Sequence, residues 1–215
     1  MSGLTRPASG WNPHLADVAA ELGLPPIDAV APLSTWLDAL AEWNAKIDLT
    51  AAKDPRALAW LMLADAMVLA SESARPAFGG SALHLAKGAR VVDVGTGAGA
   101  PGLALAILRP DLRVTLAEPL GKRASFLRTV IGLLGRTDIT LVPKRGDALA
   151  KAAFDVAISR ATLPPDEWLA LGRTLVVPGG DVWLFLAEGE APPGAKEEIA
   201  WTEPPGKKRR LARHA

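Results

Sequence analysis

The sequence predicts an α/β fold: a parallel sheet with helices on both faces, preceded by a group of N-terminal helices. Two patterns lead to this prediction. From residue 90 onward, short apolar runs alternate with amphipathic helical segments, which is typical of strand–helix–strand units in a parallel sheet. Before residue 90, the apolar residues keep helical spacing only. A chain of 215 residues is long enough to bury one sizeable core around such a sheet.

Three helices are expected ahead of the first strand, over about 12–22, 34–44 and 54–69. The first and third begin with a residue that can cap a helix followed by a proline, at Asn12-Pro13 and Asp54-Pro55. On the third helix, Asp65 falls on the apolar face. A carboxylate there must be hydrogen-bonded or paired. We therefore expect Asp65 to accept from backbone N–H groups or an arginine, with a role in a site as the alternative.

The alternating part of the chain supplies five expected strands and three expected helices. The strands are 91–94, 113–117, 139–142, 154–158 and 181–186, and the helices lie near 102–108, 122–134 and 166–174. The segment 189–194 is expected to be a loop. The chain should therefore comprise a helical segment over 1–72 packed on a core domain over 73–215.

The composition excludes several kinds of site. The chain has no cysteine, which excludes disulfides, thiolate metal ligands and a cysteine nucleophile. The three histidines, at positions 14, 84 and 214, are scattered, so we expect no metal. The longest stretch without a charge, 94–108, is too short to span a bilayer, and no secretion signal is visible. We therefore expect a cytoplasmic protein without a membrane partner.

A glycine-rich turn over 95–99 follows the first expected strand directly. Glycines let the backbone turn sharply and approach a nucleotide-like cofactor at the carboxyl end of a strand. The turn fits the dinucleotide fingerprint G-x-G-x-x-G/A, and Glu118 ends the next strand where it can accept from ribose hydroxyls. Asp93, however, would repel a pyrophosphate and suits the sulfonium and ammonium of S-adenosylmethionine. The turn therefore favours S-adenosylmethionine over a dinucleotide or a turn without a ligand.

Two further features follow the third and fourth expected strands. Asp147 is placed to meet an adenine amino group, with a helix cap before 148–152 as the alternative. The fourth strand ends in Ser159-Arg160-Ala161, without the Asp/Asn-Pro-Pro-aromatic motif usual in enzymes that methylate exocyclic amines of bases. Methylation at carbon 5 of pyrimidines needs a cysteine. The remaining class of methyl acceptor is one that is already nucleophilic at neutral pH, such as guanine N7. Catalysis would then come from alignment and electrostatics rather than from a general base.

Four segments resemble the bacterial RsmG (GidB) family of methyltransferases in order and spacing. Residues 43–50, WNAKIDLT, look like the family's W-N-x-x-x-N-L-T signature, with Asp48 in place of the usual asparagine. Residues 93–102, DVGTGAGAPG, match its cofactor loop. The other matches are Gly121-Lys122-Arg123 with Phe126-Leu127, and Ser159-Arg160-Ala161. Such a set of matches is far more specific than the glycine-rich turn alone.

The resemblance implies a Rossmann-like methyltransferase fold and methylation of N7 of one guanine in the 530 loop of bacterial 16S rRNA. Residues 73–215 would be the S-adenosylmethionine-binding domain. The expected cofactor residues are Asp93, Gly95, Thr96, Gly97, Gly99, Ala100, Glu118, Gly146, Asp147 and Arg160. Arg160 stays protonated and cannot act as a base, so we expect it to bind the cofactor carboxylate or orient an RNA phosphate. The expected partner is the small ribosomal subunit or its precursor, bound by a monomer.

Candidate RNA contacts come from two basic segments. Lys122 and Arg123 would lie at the rim of the cleft, with a solvated first helical turn as the alternative. The C-terminal tail holds Lys207, Lys208 and Arg209 in one basic run, although the net charge of the chain is only +1. Such a run suits a polyanion, and it also suits a solvated terminus or a protected edge strand.

Several departures from the family lie on the expected substrate side. Leu61 and Met62 stand where the family usually has Arg-His, and Glu188 stands where it usually has lysine. The last strand, normally apolar, is basic here over 209–213. We therefore expect a divergent member. The alternatives are an enzyme with another RNA or a small-molecule acceptor, and a non-catalytic protein that binds S-adenosylmethionine or RNA; Asp93 disfavours a dinucleotide oxidoreductase.

Overall fold

The structure is a computed structural model that describes residues 4–52, 54–71, 85–187, 189–203 and 205–214. The helices are α1 Asn12–Glu21, α2 Val30–Asn44, α3 Pro55–Ala70, α4 Gly102–Leu108, α5 Gly121–Leu133 and α6 Pro165–Leu175. The strands are β1 Arg90–Val94, β2 Arg113–Ala117, β3 Thr140–Val142, β4 Phe154–Arg160, β5 Val176–Leu186, β6 Glu197–Glu203 and β7 Lys207–His214. A short 3₁₀ turn spans Gly146–Ala148.

The strands form one sheet in the order β3-β2-β1-β4-β5-β7-β6. Strands β1 to β5 pair in parallel, so their carboxyl ends meet at one edge. The five predicted strands thus form a parallel sheet, and two further strands extend it, of which β7 runs antiparallel to both of its neighbours. The short connection from Glu203 to its pairing partner Lys207 explains the antiparallel pairing of β6 with β7, because strands joined by a tight hairpin can only be antiparallel.

Alternating side chains of the strands build a core on each face of the sheet. On one face, Val91, Leu116 and Ile158 pack with the buried sides of α1 to α5. On the other face, Val92 and Val182 pack with α6. The α/β class with helices on both faces is thus confirmed, and α1 to α3 share a core with the sheet. The expected domain boundary between residues 72 and 73 lies outside the described residues.

The ends of the N-terminal helices agree in part with the sequence analysis. Asp54 caps α3, because its side chain accepts from the Ala57 N–H at 2.9 Å. The expected cap at Asn12 is wrong: it is the first helical residue, and no side chain caps α1. The preceding Trp11 is buried and donates from Nε1 to Asp38 at 2.7 Å, which fixes where α1 begins. No helix in the described ranges is both long and apolar enough to cross a bilayer.

The basic tail forms β7, an interior strand between β5 and β6. It is therefore neither a solvated terminus nor an edge strand, and β6 is the edge. The three arginines of β7 pair with acids of the neighbouring strands: Arg209 with Glu203, Arg210 with Glu198, and Arg213 with Asp181 and Glu197. A basic strand is stable at this interior position because its arginines are paired with acidic residues. Its apolar residues Leu211 and Ala212 are also buried.

Candidate active site

An open cleft of about 570 Å³ lies at the carboxyl edge of the parallel strands. In sheets of this kind, ligands bind where the strand order reverses, here between β1 and β4. The lining residues come from five segments: 49–51, 61–62 on α3, the glycine turn with Ala100, 118–120 with Arg123 after β2, and 160–162 after β4. The cleft thus brings together part of the predicted cofactor set: Gly95, Thr96, Gly97, Ala100, Glu118 and Arg160.

The glycine turn has a shape that side chains would disturb. Gly95 has φ of 74°, in the region that favours glycine, and its N–H donates to the Ala117 carbonyl at 2.8 Å. A Cβ on Gly95 would lie 2.4 Å from Thr162 Oγ1, closer than any real contact. The turn therefore needs glycine at this position, and Thr162 after β4 fixes its distance from the neighbouring strand. Sequence reasoning gave no role to Thr162, since only the fold brings it to Gly95.

Asp93 lies beneath the turn and does not line the cleft. Its Oδ2 accepts from the Gly102 N–H at 2.8 Å. Burial raises the pKa of Asp93 to about 6, and the charge of Glu118 acts in the same direction. The Thr96 hydroxyl, the Gly102 N–H and the charge of Arg160 lower this pKa. Asp93 Oδ1 and Thr96 Oγ1 are buried without a hydrogen bond of normal geometry in the described ranges.

Glu118 joins the end of β2 to the glycine turn. Its Oε2 accepts from the Gly97 N–H and its Oε1 from the Leu120 N–H, each at 2.9 Å. The side chain is buried but lines the cleft. Each carboxylate oxygen has two lone pairs, so both oxygens keep acceptor capacity after binding these N–H groups. This arrangement fits a ligand that offers hydroxyl donors, as the ribose of S-adenosylmethionine does.

The segment 43–50 is part of the cleft, and the structure explains its sequence. Asn44 Oδ1 accepts from the N–H groups of both Leu49 and Thr50, each at 2.9 Å. This bends the chain after α2 so that 49–51 form a cleft wall. Trp43 packs edge-on against Phe126 of α5 at 5.7 Å between ring centroids. The family signature marked these residues, but their roles depend on contacts that the sequence alone did not reveal.

Arg160 connects β4 to α3. Its Nη1 donates to Asp65 Oδ2 at 2.8 Å and to the Leu61 carbonyl at 2.7 Å. The expectation that Asp65 is a buried acceptor paired with an arginine is thus confirmed. Arg160 is also part of the cleft wall, next to the apolar side chains of Leu61 and Met62.

Other predicted site residues lie outside this cleft. Gly99 and Gly146 are buried by packing; a Cβ on Gly146 would lie 2.7 Å from Val94 Cγ1. Asp147 is exposed, pairs with Arg145 and lies in the 3₁₀ turn, with no helix over 148–152. Of the expected RNA contacts, Arg123 lines the cleft and Lys122 an adjacent pocket, while Lys207 and Lys208 are exposed at the start of β7. Glu188 lies outside the described residues.

The fold and the cleft define a class of protein. A Rossmann-like sheet with an acid-and-glycine turn after β1 and an acid after β2 belongs to the S-adenosylmethionine-dependent methyltransferases. Residues 29–201 match the family model of rRNA small subunit methyltransferase G, GidB. The chain belongs to this family, as the sequence resemblance indicated.

Relatives of the same name cover most of the chain. The ribosomal RNA small subunit methyltransferase G of Cronobacter sakazakii is 41% identical over 163 residues, which are 75% of this chain and 72% of the relative. The one from Xanthomonas axonopodis pv. citri is 37% identical over 171 residues, 79% and 72% of the two chains. Among solved structures, a SAM dependent methyltransferase from Aquifex aeolicus is similar at 15% identity and a TM-score of 0.48, covering 61% of this chain and 85% of that one.

Proposed function

We propose that this chain transfers the methyl group of S-adenosylmethionine to N7 of a guanine in the 530 loop of 16S rRNA. The observation that carries the proposal is the cleft at the carboxyl edge, which combines the glycine turn and Glu118 with a mouth that reaches basic residues. The family membership gives the substrate class, and the family resemblance gives the base and the loop.

The proposed cofactor site is the set Asp93, Gly95, Thr96, Gly97, Gly99, Ala100, Glu118, Gly146, Asp147 and Arg160. In it, Glu118 accepts from the ribose hydroxyls with its free lone pairs, and Gly95 keeps the backbone close to the ligand. Asp93 acts from beneath the turn, since its buried charge favours a cationic ligand. Gly99 and Gly146 act by packing, and the exposed Asp147 has to turn from Arg145 toward the cleft to reach the adenine. The cofactor supplies an electrophilic methyl group.

The transfer needs no general base from the chain, because guanine N7 attacks with a lone pair and loses no proton. The chain has no cysteine, and Arg160 stays protonated. The residues of the chain therefore act by aligning the cofactor and the guanine. Arg160, for example, is held by Asp65 and Leu61 at the end of β4, where it faces the cleft. Fixing two reactants in attack geometry can supply much of the rate enhancement by itself.

The proposed RNA surface lies on both sides of the cleft, with Lys122 and Arg123 on one side and Lys207, Lys208 and Arg209 on the other. Since β7 is antiparallel to β5 and Arg210 pairs with Leu186, the start of β7 lies at the same edge as the carboxyl ends of β1 to β5. Arg209 is already paired with Glu203. Lys207 and Lys208 have no ion pair within the described ranges, so they carry most of this side.

A second candidate function keeps the chemistry and changes the acceptor to another RNA or a small molecule. The observation that favours it is the apolar wall of Leu61 and Met62 in the cleft, where the family usually has polar residues. In either case we propose a cytoplasmic, monomeric enzyme that needs no metal.

The test is methyl transfer from labelled S-adenosylmethionine to small ribosomal subunits that lack the modification. We expect about one methyl group per subunit, found by mass spectrometry at N7 of a single guanine in the 530 loop. Binding of the cofactor without transfer to the subunit would favour the second candidate. No binding of S-adenosylmethionine would contradict the proposal altogether.

A further inference from the structure

A second pocket of about 510 Å³ lies beside the cofactor cleft. It is formed by residues 44–49, after α2, and by 120–123 at the start of α5. Leu49, Leu120 and Arg123 line both cavities. The two cavities therefore share a wall, and a chain-like ligand that places one unit in the cleft can place the adjacent unit in the second pocket.

The shared wall exposes an apolar side chain. Leu120 is 55% exposed, and in the described ranges the other large apolar residue with such exposure is Leu133, at 61%. Leu133 lies at the far end of α5 and lines neither cavity. An apolar side chain exposed at the mouth of a site suits a ligand with a flat apolar face, and a splayed-out nucleobase offers such a face.

The charges around the second pocket fit both parts of a nucleotide. Lys122 and Arg123 have no ion pair within the described part of the chain, and Lys46 has only an exposed one with Glu42 at 3.2 Å, which holds it weakly. These cations suit a phosphate. Asp48 also lines the pocket, and an ionised carboxylate is an acceptor only. It therefore suits the N–H donors on the edge of a base and disfavours a phosphate at its own position.

We infer that this pocket holds the nucleotide next to the target guanine in the same RNA strand. The inference rests on the proposed function. The base lies against Leu120, its N–H edge donates to Asp48, and the phosphate between the two nucleotides is contacted by Arg123. Asp48 thereby becomes a specificity-determining residue, since it selects for the donor pattern of the neighbouring base.

The first experiment compares Leu120→Ser, just before α5, with Leu133→Ser, the same change at an exposed leucine at the far end of α5. The substrates are small subunits reconstituted with intact 16S rRNA, or with an abasic nucleotide on the 5′ or the 3′ side of the target. We expect Leu120→Ser to raise KM for intact subunits about five- to tenfold, in line with the loss of an apolar contact with the face of the base. Because Leu120 also lines the cofactor cleft, the affinity for S-adenosylhomocysteine is measured for each variant, so that a loss of RNA binding is separated from any loss of cofactor binding. Leu133→Ser should change neither.

The abasic substrates identify the base. With the wild type, an abasic nucleotide on one side of the target should raise KM by a similar factor, and Leu120→Ser should add nothing further on that substrate. Asp48→Ala should likewise lose affinity for intact subunits, and Asp48→Asn, which keeps an acceptor oxygen, should restore most of it.

Two results would overturn the inference while leaving the proposed function intact: fully additive losses on both abasic substrates, or Leu120→Ser behaving as Leu133→Ser does on subunits that the wild type methylates. If instead the wild type fails to methylate intact subunits, the proposed function fails, and the inference fails with it.

Discussion

Arg160 at the end of β4 donates to Asp65 on α3, with 2.8 Å between Nη1 and Oδ2. The Arg160 side chain is 20% exposed and that of Asp65 is 9% exposed, so the pair is largely removed from water. Arg160 also borders the cleft. This one contact therefore joins the N-terminal helices to the sheet at the edge where the reaction is proposed to occur.

Removing Arg160 should destabilise the fold strongly, because it leaves the Asp65 carboxylate buried without its partner. We expect Arg160→Met to lower the free energy of unfolding in urea by about 3 kcal/mol, typical of a broken buried pair. The control is Arg210→Met, which breaks a more exposed pair with Glu198 and should cost about 1 kcal/mol or less. The double variant Asp65→Leu/Arg160→Met should regain most of the loss. Equal costs for the two single variants would contradict this view of the pair.

Asn44 should be needed for the wall of the cleft. Asn44→Ala leaves the N–H groups of Leu49 and Thr50 without their acceptor, so we expect a loss of about 1–2 kcal/mol in unfolding free energy. The affinity for S-adenosylhomocysteine, measured by calorimetry, should fall as well, because residues 49–51 line the cleft. Asn44→Asp keeps the acceptor and should restore both quantities. If Asn44→Ala binds as the wild type does, the bend after α2 is not needed for the site.

Asp93 should make stability depend on pH. Burial raises its pKa from 3.8 to about 6 in the folded chain, so the folded state holds this proton more tightly than the unfolded state. The resulting stability is fully present below about pH 4 and is lost as the pH rises to about 6. In Asp93→Asn this loss is absent, while an acceptor for the Gly102 N–H remains.

Urea unfolding from pH 4 to 7.5 measures this effect. The stability of Asp93→Asn relative to the wild type should rise by about 2 kcal/mol between pH 4 and 6 and level off above about pH 7. The full rise approaches about 3 kcal/mol, which is the value of about two pKa units. A relative stability that stays flat or falls over this range would mean that the Asp93 pKa is not raised.

Lys207 and Lys208 should contact RNA phosphates without affecting the cofactor. We expect Lys207→Gln/Lys208→Gln to reduce the slope of log K for RNA binding against log salt by roughly 1.5, since each phosphate contact contributes about 0.7–0.9. The matched control is Lys87→Gln/Arg113→Gln, which removes two charges at the opposite edge, where β1 and β2 begin. Equal changes in the two double variants would indicate a general charge effect and remove β7 from the RNA surface.

The parallel half of the fold was readable from the sequence because its strands are apolar on both faces. β1, β2 and β4 were predicted to within two residues of their ends. β6 was missed because its apolar residues, Ile199 and Trp201, stand among glutamates. Those glutamates pair with the arginines of β7, so the charged residues of each strand can be understood only once the two strands are seen side by side. Neither has a clear strand pattern alone.

The site residues that directly follow a strand could be predicted from the sequence, because a short local pattern fixes their backbone position. The glycine turn and Glu118 follow directly from strands, and the structure places them in one cleft. Asp147 was expected near the same ligand but is exposed beside Arg145, because a short 3₁₀ turn sets its direction. Contacts between residues far apart in the chain, such as that of Thr162 with the turn, could not be read from sequence spacing.

The methyl acceptor of this enzyme can be identified in the cell by a single measurement. It is mass spectrometry of 16S rRNA from a strain in which the gene has been deleted, complemented with the wild type or with Gly95→Ala. We expect deletion to remove a single 7-methylguanine in the 530 loop, and we expect the wild type to restore it but not Gly95→Ala, whose Cβ would collide with Thr162. An unchanged 7-methylguanine at that position in the deletion strain would contradict the proposed acceptor.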